Sequence, residues 1–326
     1  MARRIADEVL FPAAMAVDAA DRVPPTHLDL LAAHGFYGLA APADAGGLGI
    51  EDRATASRVI EILASGCLTT TFVWLQHQSA VVAAAGGPLR DEWLAPLARG
   101  ERRAGVVLAG LRPGPPSVRA RAVDGGYVID GNAPWVTGWG MVDVLYTAAR
   151  TEDDTVVGVL LDAVAGPALS VMPLAMVAAA ASGTVRVRFD GYFAPHARVA
   201  GTMPYAQWPE RDAAGLRGNG SLALGVAGRC LRLLGAGTGP LDAARAALDG
   251  ATPATMPQAR AAASALAMRA ATAAVVSAGS RSVLAGEHPQ RLLREAMFLL
   301  VFGSRPAIRE ALLRRLDFID GADGPS

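Results

Sequence analysis

Tyr127-Val-Ile-Asp-Gly-Asn-Ala-Pro-Trp-Val-Thr-Gly-Trp139 is the stretch on which the reading of this chain turns. It follows Asp124-Gly125-Gly126, a hairpin turn signal, and the run Val118–Ala122, where Val118, Ala120 and Ala122 alternate with Arg119 and Arg121. The period of two continues beyond it. Val144–Arg150 and Val156–Leu161 flank Thr151-Glu-Asp-Asp-Thr155, and Val185, Val187 and Phe189 alternate with Arg186 and Arg188. Arginines at every second position are the solvated face of half-buried strands. The spacing predicts an antiparallel β domain over 101–202. Within it, alternation puts Trp135 and Thr137 on one face. An indole plane beside a hydroxyl suits a flat aromatic cofactor. It equally suits a core tryptophan with an edge hydroxyl.

Outward from that domain the period is 3.6. Upstream, Ile5, Val9, Leu10, Ala13 and Val17 recur at helix spacing, and Pro24-Pro25-Thr26 stops one helix and starts the next over His27–Ala33. Further helices are expected near 51–65 and 68–85. Downstream of Pro204, helices are expected over 222–234, 241–248, 257–284 and 290–316, rich in the helix-favouring Ala. The expected fold class is therefore α+β: an N-terminal helical domain (1–100), a central antiparallel β domain (101–202) and a C-terminal helical bundle (203–326). The tail 321–326 is expected to be disordered.

Composition narrows the chemistry. The 326 residues carry 30 basic and 30 acidic side chains, 52% hydrophobic and 18% charged, with a mean hydropathy of +0.30. Zero net charge gives no basic face for nucleic acid. Every basic residue is Arg, which excludes a P-loop lysine, a Schiff base and a Ser–Lys dyad. Cys67 and Cys230 are too few for a Cys-rich zinc site. The histidines at 27, 34, 77, 196 and 288 show no metal-ligand spacing. Asp7 and Glu8 interrupt any apolar leader, and runs such as 176–181 are shorter than the ~20 residues of a membrane helix. The expectation is a cytoplasmic protein that neither spans a membrane nor binds nucleic acid.

The central stretch resembles an acyl-CoA dehydrogenase motif, Gly-x-Lys-x-Trp-Ile-Thr-Asn-Gly, here Gly131-Asn-Ala-Pro-Trp-Val-Thr-Gly. Gly35-Phe-Tyr-Gly-Leu-Ala-Ala-Pro-Ala-Asp-Ala-Gly-Gly-Leu-Gly49 is similar to the family's Gly-Leu-x-Pro-Glu-x-Tyr-Gly-Gly-Leu-Gly. Phe189-Asp-Gly-Tyr-Phe-Ala-Pro195 resembles Phe-Asp-x-Val-x-Val-Pro, and Arg291-Leu-Leu-Arg-Glu-Ala296 resembles Arg-Leu-Leu-Arg-Asp-Ala. Their joint order spans nearly the whole chain. The resemblance implies FAD between the β domain and the bundle, with Trp135 against the isoalloxazine, Thr137 bonding near its N5, Val136 between them among the cofactor-binding residues, and Gly279 in a turn over a neighbouring subunit's FAD. It implies an acyl thioester substrate and a homo- or hetero-oligomer with a related subunit. The reaction would be α,β-dehydrogenation or a divergent flavin reaction.

The departures fall on the proton chemistry. The family's reaction needs a carboxylate beside the substrate α-carbon. Aligned on Arg291–Ala296, the usual Tyr-Glu-Gly-Thr becomes Phe302-Gly303-Ser304-Arg305, so the catalytic glutamate position is Gly303. The alternative glutamate position falls in Gly215-Leu-Arg-Gly-Asn-Gly220, again without a carboxylate. Val107-Leu-Ala-Gly-Leu-Arg-Pro-Gly114 lacks the family's flavin-binding Thr and its Ser-Asp. The segment 234–252 is short, as if one bundle helix were deleted, and the Arg-x-x-Phe-Gly that reaches a neighbour's FAD is missing. Two alternatives follow: a flavin monooxygenase on the same fold, or a non-catalytic subunit partnering an active homologue.

Overall fold

The computed structural model describes residues 1–316, so the expectation for 321–326 lies outside the described residues. The chain opens with α1 (Ala2–Ile5), which runs through a π-turn (Ala6–Leu10) into α2 (Phe11–Asp18). Proline at its first turn starts α3 (Pro25–Ala33). The side chain of Asp52 caps α4 (Arg53–Ala64) by accepting from the amides of Ala54 and Thr55. The long apolar α5 (Leu68–Ala85) and the short α6 (Ala95–Ala98) complete this part.

Eight strands follow: β1 (Ala104–Val107), β2 (Val118–Val123), β3 (Gly126–Val136), β4 (Val144–Arg150), β5 (Thr155–Asp162), β6 (Leu169–Pro173), β7 (Val185–Pro195) and β8 (Val199–Pro204). They form one sheet in the order β6-β7-β3-β2-β4-β5-β8, with β1 paired to β4. The expected antiparallel sheet is in fact mixed. β1 lies parallel to β4, from Ala104 opposite Val144 to Val107 opposite Thr147, and Arg119 and Arg150 make a parallel contact between β2 and β4. β1 enters from a helix rather than a hairpin, and the Asp143 carboxylate accepting from the Arg103 amide (2.8 Å) fixes its start beside β4.

The C-terminal part contains α7 (Trp208–Leu233), α8 (Gly239–Asp249), α9 (Met256–Ala278), α10 (His288–Val301) and α11 (Pro306–Arg315). The helix expected over 241–248 is α8. One expectation is corrected here. The helix expected over 290–316 is two helices, because Gly303 takes φ +62° and Pro306 starts a new first turn.

Leu10, Leu31, Leu63 and Trp74 from the N-terminal helices share one core with Leu222, Leu224, Ala267 and Leu299 of the bundle, while the sheet buries a separate core around Val118, Ile129, Val157 and Val187. Ion pairs run between the two helical parts: Arg245 to Glu61, Arg229 to Asp7 and Arg294 to Asp18. Residues 256–283 are long and apolar enough, by length and composition, to cross a membrane. In the fold, α9 packs against α7, α8, α10 and α11, and its buried Arg260 donates to the carbonyl of Leu299. Less than half of that apolar stretch is buried in the bundle; the rest, Val276 among it, faces outward.

Candidate functional site

The site has two ends. The first is the end of β3. Opposite β7, Ala133 pairs with Val187 and Val136 with Val185, so Pro134 and Trp135 together face Arg186 alone. Pro134 has no amide to give the ladder, and the strand bulges there. The bulge defeats the alternation that put Trp135 and Thr137 on one face. Trp135 is thrown outward, 58% exposed, at φ 66°, while Val136 turns into the sheet core and Thr137 is 3% exposed. A bulky residue in the left-handed region stores about 1–3 kcal/mol of strain, and such strain clusters at functional sites. The Thr137 hydroxyl lies 3.1 Å from that of Thr184.

The segment that carries Thr184 is a junction. Val23 of the N-terminal part donates to Ala181 O (2.9 Å), and Arg294 of α10 donates to Val177 O (2.9 Å). The amides of Gly138 and Trp139 donate to Ser182 O and Gly183 O (2.9 and 3.0 Å). All three parts of the chain therefore meet behind Thr137.

The second end is the gap between α10 and α11. A Cβ on Gly303 would lie 2.7 Å from Nδ2 of Asn219. The two alternative positions for a base, 303 and the 215–220 stretch, are thus brought together, and an amide occupies the place where they meet. Arg305 donates to Gly303 O (3.0 Å) and, in a bidentate pair, to Asp212 (2.8 and 2.5 Å). Asp212 is the carboxylate nearest to this loop that sequence reading missed. It stands 93 residues from its partner, and nothing in its local sequence signals the pairing. With both oxygens held by a guanidinium, it anchors the loop. Glu295, closer in sequence, is buried on Arg291; burial raises its pKa and the Arg291 charge opposes that rise. Glu310 pairs with Arg314 at the surface.

Consecutive residues of α5 connect the two ends. Phe72 packs edge-on against Phe298 and Phe302 (centroids 5.1 and 4.8 Å), next to Gly303. Val73 lies 3.8 Å from where a Cβ on Gly138 would stand, next to Thr137. Gly279 is not part of this cluster. It ends α9 with φ +65° and ψ −148°, a conformation essentially restricted to glycine, and its turn packs on α9 and α10. A Cβ there would meet nothing within 4 Å.

The helix–sheet–helix fold is that of solved acyl-CoA dehydrogenases. Glutaryl-coenzyme A dehydrogenase, solved with glutaryl-CoA, superimposes with a TM-score of 0.85 over 98% of this chain and 94% of that one, at 16% identity. PigA, solved with FAD and proline, gives 0.82 over 97% and 95%, at 19% identity. Residues 1–101 match the family described as acyl-CoA dehydrogenase, N-terminal domain. Benzylmalonyl-CoA dehydrogenase of Aromatoleum aromaticum is 28% identical over 205 residues, covering 59% of this chain and 53% of that protein. The chain spans about half the length of the curated relatives it matches. Its N-terminal part thus matches that family's N-terminal domain, and its whole fold is that of solved acyl-CoA dehydrogenases.

Proposed function

We propose that this chain binds FAD at the end of β3 and is a flavin-dependent oxidoreductase of acyl thioesters. The observation that carries the reading is Trp135: an exposed indole held in a strained conformation two residues before the buried Thr137. The fold family pairs with flavin, and these residues fit its ring end. Trp135 offers a plane for packing and Thr137 a hydroxyl for a ring nitrogen. Val136 holds the backbone between them through its place in the sheet. FAD, when bound, supplies a two-electron acceptor. The phenylalanines at 72, 298 and 302 form an apolar wall that keeps water from the Gly303 end. Asn219 can donate a hydrogen bond to a substrate oxygen there but cannot take a proton.

Assembly with a second copy or a related subunit belongs to the same proposal. It is supported by the outward face of α9, where Met268, Ala273 and Val276 line a shallow apolar groove, and by the open space over Gly279. A cytoplasmic setting is supported by the free thiols of Cys67 and Cys230.

One observation favours a second reading, a flavin-holding subunit without dehydrogenase activity: the amide of Asn219 stands where the base would be. The visible spectrum of the purified protein, followed by titration with FAD, tests the common part of both readings. Flavin uptake by the wild type and its loss in Trp135→Ala are expected. A colourless wild type at saturating FAD overturns the proposal.

A further inference from the structure

Behind Thr137 lies a chain of three hydroxyls. Oγ1 of Thr137 is 3.1 Å from Oγ1 of Thr184, which is 2.7 Å from Oγ of Ser182. The residues are 3%, 5% and 0% exposed. The backbone around them is already satisfied: Gly138 N donates to Ser182 O, Ser182 N to Ala179 O (3.0 Å) and Leu174 N to Thr184 O (3.2 Å).

Each hydroxyl has one proton to donate. Three protons serve two links, so one is left over, and where it goes decides the direction of the chain. If Thr137 donates to Thr184 and Thr184 to Ser182, the spare proton sits on Ser182, fully buried, with no protein acceptor in reach among the described residues. If both ends donate to Thr184, its own proton is stranded. Only the order Ser182 to Thr184 to Thr137 leaves the spare proton on Thr137, the member beside the candidate site. A stranded buried donor costs about 1–3 kcal/mol, which selects that order. Links polarised in one direction also strengthen one another.

We propose that Ser182 and Thr184 are positioning residues that fix the Thr137 hydroxyl as a hydrogen-bond donor into the flavin site. The inference rests on the flavin reading above. An oxidised isoalloxazine offers an acceptor nitrogen in its central ring, and the same nitrogen carries a proton after reduction. A hydroxyl locked as a donor therefore favours the oxidised ring. To accept from the reduced ring, Thr137 would have to turn the chain round and strand the proton of Ser182. The chain accordingly tightens FAD binding and lowers the potential of the bound flavin.

The test uses the purified full-length chain and FAD. Thr184→Val keeps the shape and removes the middle link. It should weaken FAD binding about threefold to tenfold, the worth of one net hydrogen bond, and shift the reduction potential of the bound flavin to a more positive value. Thr184→Ser should restore both values, and Ser182→Ala should move both the same way by less. A thermal melt of each apo variant identifies those that fold; if Thr184→Val does not, Ser182→Ala and Thr184→Ser carry the test. A folded Thr184→Val or Ser182→Ala whose affinity and potential equal the wild type's overturns this inference alone, as does a serine variant that folds and fails to restore them. A wild type that takes up no FAD overturns the flavin reading, and this inference with it.

Discussion

The two ends of the candidate site have been treated differently by this sequence. At the end of β3, Trp135 is held against its conformational preference and Thr137 is wired into a buried hydroxyl chain. At the α10–α11 gap, the position aligned with the family's base is a glycine and its neighbour across the gap an asparagine. On the proposed reading, binding a flat cofactor and removing a proton fall to separate elements, joined through Phe72 and Val73 of α5. One can be kept while the other is lost.

The largest expected effect lies at the proton end. Positioned general bases contribute about 10²–10⁴-fold, and turnover of saturated acyl-CoAs should fall short of an intact site by that order. Gly303→Glu alone should recover little, because position 303 needs φ +62° and its new side chain meets Asn219. Adding Asn219→Ala should recover more than the single variant, in an assay with a panel of acyl-CoAs and an artificial acceptor. High wild-type turnover would break the contrast between the two ends.

The helix leading to that gap gives the next effect. Arg291→Ala leaves Glu295 buried and unpaired and should lower stability by about 3–5 kcal/mol in a urea titration. A loss below 1 kcal/mol would show that Glu295 is protonated in the folded protein.

The shared helix sharpens the comparison through pH. His77 of α5 donates from Nε2 to Leu97 O and accepts the amide of Ala104 at Nδ1, so α5 is tied to the start of β1 by a neutral ring. Burial lowers its pKa from 6.5 to about 3. The unfolded chain takes up that proton below pH 6.5 and the folded chain does not, so acid favours unfolding. The stabilisation is complete above pH 6.5 and is lost as the pH falls towards 3. At pH 5 the loss is about 2 kcal/mol. Melts between pH 7 and 5 should show this slope, and His77→Gln should flatten it.

The smallest effect is at the flavin end. Trp135→Gly removes an exposed side chain from a left-handed position and should stabilise the apo protein by about 1 kcal/mol while abolishing FAD binding. Unchanged FAD affinity would move the site away from β3.

Most of the fold was legible because hydrophobic period is a local signal. Val118–Ala122 and Val185–Phe189 lie in strands, 51–65 covers α4 with one or two residues to spare at each end, and 68–85 coincides with α5. Where the reading failed, a single residue overrode the period. Pro134 bulged β3 and separated Trp135 from Thr137; Gly303 broke one helix into two. The parallel placement of β1 depends on Asp143, 40 residues from the Arg103 amide it holds. At the site, motif order pointed to Trp135, Thr137 and Gly303. Alignment also reached the stretches that hold Asn219 and Arg305, but Thr184 and Asp212 are long-range partners that no local pattern marks.

The contrast between the two ends meets its most direct test when FAD-loaded protein is mixed anaerobically with saturated acyl-CoAs while the visible flavin band is followed. We expect a band that is present, shifts on binding and bleaches only slowly, about 10²–10⁴-fold slower than with a positioned base, since no group at Gly303 or Asn219 takes the α-proton. Rapid bleaching by any acyl-CoA would contradict this and place a working base elsewhere in the chain.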